Sequence, residues 1–228
     1  MTGLFYILNE DSVIIGMDSL VIQKNIETEE KTPWKFETKV LPLMHLKSVL
    51  CGVGNMDFFM KWFVEMNNCV IGCDIDILEK VARGKYEEFV KKIPCEFGAT
   101  VYHFGYSIKE DRMKGFVLDT KKPHIEVIPY SQWAQPTAIM KNIEKVKEIK
   151  ENCTIDGKTN GIKYAYEMLL EMKEIEDKKG DTSKIYIGGE MHFIGIEKQF
   201  QFHAFVVPFP DYLKQYNEIL HQGQIELL

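Results

Sequence analysis

The sequence predicts an α+β fold formed as a single domain over residues 1–228, with an order of elements that suits two stacked, mainly antiparallel sheets between helix layers, a four-layer αββα sandwich, and that other α+β designs share. Three observations predict it. Apolar residues alternate with period two near both ends of the chain and in its middle, and the segments between switch to period 3.6. The resulting order is strands, two helices, strands, two helices, strands. No repeat or low-complexity stretch interrupts it.

Taken in order, Leu4–Leu8 and Val13–Met17 flank the polar corner Asn9-Glu10-Asp11-Ser12 and predict a β-hairpin with mostly buried arms. A polar loop is expected from Lys24 to about Glu37. Lys39–Leu43 and Ser48–Gly54 predict two short strands, the second ending in glycines. Phe58, Phe59, Trp62, Phe63 and Met66 recur at helical spacing and predict a helix over 57–66, with a more charged one over 75–92. Strand signals return over 100–108 and 114–119 around a turn at 109–112, then over 124–129. An amphipathic helix is predicted over 137–150, and a stronger one over 161–176 through Ile162, Tyr166, Leu169 and Ile175. The chain closes with strands over 184–196 and 200–207 and a helix from Pro210.

Composition narrows the partners. A net charge of −6, with 45% hydrophobic and 27% charged residues, gives no basic footprint, so neither nucleic acid nor an anionic membrane is expected as a partner. No apolar run reaches the ~18 residues of a membrane span. The first segment carries Asn9-Glu10-Asp11 in place of a cationic region followed by an apolar one, which predicts a cytoplasmic protein without a cleaved leader. The five cysteines, Cys51, Cys69, Cys73, Cys95 and Cys153, are scattered without a redox or zinc spacing and read as reduced thiols in or near the core.

A more specific signal lies in the order Thr2, "VIIGMDS" at 13–19, "TKVLPL" at 38–43 and "VLCGVG" at 49–54, followed by an aromatic helix. In that order the chain resembles the proteasome β-subunit family of N-terminal nucleophile (Ntn) hydrolases. "TVYHFGYSI" at 100–108 with "GFVLD" at 115–119 resembles that family's central hairpin, and "GGEMHFIGI" at 188–196 its late glycine-led strand. The resemblance spans most of the chain through short motifs. Two stretches depart from it: "DGKTNG" at 156–161 has Lys158 where the family has a serine, and Asp181 and Ser183 lie too early for the family's Asp-x-x-Ser.

The resemblance implies a threonine-type peptidase or amidohydrolase acting on a peptide or amide substrate, without a cofactor. Its residues would be Thr2 as nucleophile, Asp18, Lys39, and Gly52 as oxyanion donor. A threonine hydroxyl is a weak nucleophile at neutral pH, and a free α-amine with an unperturbed pKa near 8 is a base that can take its proton. That requires removal of Met1. Asp18 lies 16 positions after Thr2, the family's separation for its aspartate. Lys39, whose charge would favour deprotonation of Thr2, leads the strand that follows, although Lys35 and Lys31 stand nearer the family's usual count. A glycine at position 52 permits the close backbone approach that an oxyanion donor needs. Relatives of this type assemble into rings, so self-association is implied too.

Two other readings are open. The chain can be a catalytically silent subunit on the same scaffold, serving as a structural or binding protein. If the last hairpin turns at Glu197-Lys198, so that Ile196 pairs with Gln199, then His192 faces His203 with Glu190 on the same side, a set able to hold zinc.

Overall fold

The computed structural model describes residues 2–24, 30–93, 95, 97–122, 124–180, 183–198 and 201–226. The chain opens with β1 (Leu4–Leu8), β2 (Ser12–Asp18), β3 (Leu20–Lys24), β4 (Lys31–Phe36), β5 (Val40–Leu43) and β6 (Ser48–Gly54), followed by helices α1 (Met56–Cys69) and α2 (Ile75–Lys92). Next come β7 (Ala99–Ser107), β8 (Arg112–Asp119), β9 (Ile125–Val127) and β10 (Ser131–Gln135), then α3 (Ile143–Asn152). A short ribbon of β11 (Thr154–Ile155) and β12 (Lys158–Thr159) leads into α4 (Gly161–Asp177), β13 (Glu190–Glu197), β14 (Phe202–Pro208) and α5 (Tyr212–Glu226).

Two five-stranded antiparallel sheets result, ordered β10-β1-β2-β13-β14 and β5-β6-β7-β8-β9. Local chemistry starts each element. Asn9 Oδ1 accepts the N–H groups of Asp11 and Ser12 at 2.9 and 2.8 Å and so closes the β1–β2 turn. The first four helices begin at Asn55, Asp74, Asn142 and Asn160, whose side chains accept from Phe58, Ile77, Lys145 and Lys163 N–H.

Strand alternation sorts the apolar residues into separate clusters. Leu4 and Tyr6 of β1 meet Val49, Cys51, Tyr102 and Phe104 of the other sheet, while Phe5 between them packs with Tyr164, Met168 and Leu169 of α4. A third cluster joins Phe58, Phe59, Trp62 and Leu78 of the first helix pair to Leu50, Val101 and Phe116.

Four expectations need correction. The predicted loop over 24–37 holds most of a β3–β4 ribbon, disguised because β4 buries little of either face; residues 25–29 lie outside the described residues. The helix predicted over 137–150 is an exit from strand β10, a short 3-10 turn at Ile139–Lys141, and α3 proper from Ile143. The strand predicted over 184–196 begins only at Glu190, because Gly189 has φ +74° and turns the chain. The last hairpin is also registered differently: Ile196 pairs with Phe202, His192 with Val206 and His203 with Gly195. Gln199, on which the expected turn depended, lies outside the described residues. The two histidines therefore do not face one another, and Glu190 approaches His192 alone, at 3.3 Å.

Candidate active site

Asp18 ends β2, paired with Met191 of β13 on one side and bonded to Gly3 on the other: its N–H donates to the Gly3 carbonyl at 3.1 Å. The strands thus set its carboxylate beside the peptide that follows Thr2. Asp18 Oδ1 accepts the Gly3 N–H at 2.8 Å and the Lys39 ammonium at 3.0 Å. Asp18 Oδ2 accepts a longer bond, 3.4 Å, from the Gly188 N–H. Lys39 also donates to the Leu20 carbonyl at 2.6 Å. Thr2, Asp18 and Lys39 are 3%, 1% and 1% exposed, so the whole group is out of water.

Burial works against both charges of the pair. It raises the Asp18 carboxyl above its ordinary range, against the opposing pull of the Lys39 charge and of the hydrogen bonds from Lys39 and Gly3. It likewise lowers the Lys39 ammonium, against the attraction of Asp18. A lysine held this way is readier to release a proton than one in water. The pair is kept by its hydrogen bonds: three reach the carboxylate and two leave the ammonium.

Of the three candidate lysines, Lys39 is the one bonded to Asp18. Lys35 pairs with Glu37 at 3.1 Å on a half-exposed ribbon, and Lys31 donates to the Lys184 carbonyl at 3.3 Å. Gly52 is placed differently from an oxyanion donor. Its N–H donates to the Lys39 carbonyl at 3.0 Å as part of the β5–β6 pairing, so that proton is engaged. A Cβ at Gly52 would fall 2.3 Å from the Phe59 ring, which is why glycine stands there: α1 packs directly on the strand.

Lys158 lies exposed in β12, and Ser183 donates its hydroxyl to Gly180, so neither serves this group. Asp181 lies outside the described residues. The groups that residue types did not reveal are backbone ones, the Leu20 carbonyl and the Gly3 and Gly188 N–H groups. Only the Gly188-Gly189 dipeptide carried a signal, as a turn former inside an apolar run.

No family model and no curated protein matches the sequence. Among solved structures the chain is similar to the Anbu (Gly-1) mutant from Hyphomicrobium sp. strain MC1, at 13% identity, over 99% of this chain and 96% of that one, with a TM-score of 0.61. At this identity the likeness extends to the fold alone: the chain is folded like Anbu.

Proposed function

We propose that this chain is a proteasome-like hydrolase of the Ntn class, built as a single four-layer αββα domain, and that Thr2 attacks an amide bond once Met1 has been removed. One observation carries the reading: a fully buried Asp18–Lys39 pair hydrogen-bonded through Asp18 Oδ1 to the Gly3 N–H, one residue from the threonine. A buried ion pair contributes little to stability relative to apolar side chains, so its presence at the head of β1 asks for a role.

In that role the free α-amine of Thr2 takes the hydroxyl proton as Oγ1 bonds to the substrate carbonyl carbon. The amine of the scissile bond leaves with a proton, and a threonyl ester remains. Water then adds to that ester and releases the acid and the hydroxyl. The Lys39 charge lowers the cost of the developing oxyanion and of the deprotonated hydroxyl. Self-association belongs to the same proposal, on the strength of the fold likeness.

Intact mass of the cell-made protein reads the first requirement, and a threonine-reactive epoxyketone or β-lactone reads the second. The processed chain is expected to gain one inhibitor mass at Thr2, and Thr2→Ala to gain none. A chain that keeps Met1 throughout, or a processed chain that stays unlabelled, overturns the mechanism. Such a result favours a second reading, a silent structural subunit on the same scaffold, for which the engaged Gly52 N–H already speaks.

A further inference from the structure

We propose that Gln215 is a positioning residue: from α5 it fixes the turn at Gly188-Gly189 that presents an N–H to Asp18, and so sets the protonation balance of the Asp18–Lys39 pair. Its importance for chemistry rests on the reading of Thr2 above, but its effect on Asp18 does not.

Gln215 is 8% exposed, a costly place for an amide unless both of its ends are bonded. Both are. Its Oε1 accepts the Gly189 N–H at 2.6 Å, and its Nε2 donates to Asp211 Oδ2, one helical turn earlier, at 3.0 Å. The fit is close enough to exclude a side chain from the turn. A Cβ on Gly188 would lie 2.3 Å from both polar atoms of the Gln215 amide, and Gly189 has the positive φ of +74° that favours glycine.

The rest of the turn is tied down from separate parts of the chain. Lys173 of α4 donates to the Ile187 carbonyl at 3.1 Å and pairs with Asp177 and Asp211, each at 2.9 Å. The Gly188 carbonyl accepts from Ser19 and Leu20 N–H at 3.3 and 3.1 Å, and the Gly189 carbonyl accepts from Phe209 at 3.0 Å. Held between these, Gly188 aims its own N–H at Asp18 Oδ2. At 3.4 Å that bond is at the long end for N–H···O, so a small displacement of the turn ends it. Asp18 would then lose one of the donors that favour its charged form. Its carboxyl would move further up, and the attraction that keeps Lys39 charged would weaken.

The test uses the full-length protein with 13C-carboxyl aspartate, following the Asp18 resonance against pH together with amide hydrogen exchange. Gln215→Met removes both polar ends at similar length. It is expected to move the Asp18 midpoint up by about one pH unit and to speed exchange at Gly188 and Gly189 at least tenfold, with β6–β8 amides unchanged. Tyr216→Ala, which trims an exposed ring of α5 that stacks on Tyr212 and keeps Gln215, is expected to leave Asp18 alone. Should Gln215→Met fail to fold, Gln215→Asn, one methylene short of Gly189, carries the same expectation. An unmoved Asp18 midpoint in the folded variant overturns the inference, as does an equal shift from Tyr216→Ala. No substrate enters these measurements, so a protein that never labels at Thr2 still tests them.

Discussion

The Lys39 ammonium lies 3.0 Å from Asp18 Oδ1 in a place where neither side chain touches solvent, so each charge depends on the other for most of its compensation. Removing one partner strands the second. Asp18→Leu and Lys39→Met are each expected to cost about 3–5 kcal/mol, and the two combined distinctly less than the sum of the single losses. Urea unfolding of the three variants at pH 7 measures it. Additive losses would mean that the two side chains act separately.

Lys39→Arg keeps the charge but not the shape. The enclosed ammonium bonds the Asp18 carboxylate and the Leu20 carbonyl as a compact donor, and a planar guanidinium cannot take that place without moving one of them. On the proposed mechanism, labelling of Thr2 is expected to slow on the order of 100-fold or more, since misplacement by about 1 Å is worth that much. A labelling rate equal to that of wild type would remove Lys39 from the chemistry.

A second buried titratable group, His103, adds a pH dependence of its own to stability. Trp62 Nε1 donates to His103 Nε2 at 2.9 Å inside the cluster between the first helix pair and its sheet, and the His103 ring stacks on Phe116. Burial pushes the His103 pKa down from 6.5 to about 3, the nearby backbone carbonyls opposing the shift. The unfolded chain therefore binds a proton that the folded chain refuses, and stability rises with pH between about 3 and 6.5. His103 contributes fully above pH 6.5 and its contribution is lost as pH falls through that window. Relative to His103→Phe, wild type is expected to lose up to about 1.4 kcal/mol more per pH unit on acidification. Parallel stability curves from pH 7 to 4 would contradict it.

Two glycines make opposite predictions. Gly52→Ala drives a methyl into the Phe59 ring, 2.3 Å away, and is expected to cost at least about 1–3 kcal/mol. Gly84 lies inside α2 with nothing beyond its own stretch of helix backbone within 4 Å of a Cβ built there, so Gly84→Ala is expected to stabilise by about 0.5–1 kcal/mol. Thermal unfolding of the pair distinguishes a packing glycine from one that only weakens a helix.

The elements that sequence pattern revealed are those with one strong period and a cap. Helix α2 runs from Ile75 to Lys92 as its spacing predicts, and the β1–β2 hairpin closes on Asn9. Strand β10, Ser131–Gln135, escaped because its residues alternate weakly and the chain beyond it mimics a helix. The Asp18–Lys39 meeting is what the family resemblance implies, and hydrophobic alternation sets the strands that carry the two residues. The Gly188 and Leu20 contacts could not, since every residue carries the same backbone groups and only the fold decides which of them converge. Gln215 gave no signal for a related reason: a glutamine in a late, charged helix reads as surface until the turn beneath it is known.

The order of the first sheet has a consequence for how the protein is made. Strand β2 sits between β1, its immediate neighbour in sequence, and β13, and the Gly188–Asp18 contact spans 170 residues. At ordinary rates of synthesis the interval between those two points is on the order of 10–30 s. Through that time the edge of β2 that β13 will take stays open. Asp18 acquires its last partner only when translation is nearly over, so an abandoned fragment ending before β13 carries the threonine and the lysine but never the finished site.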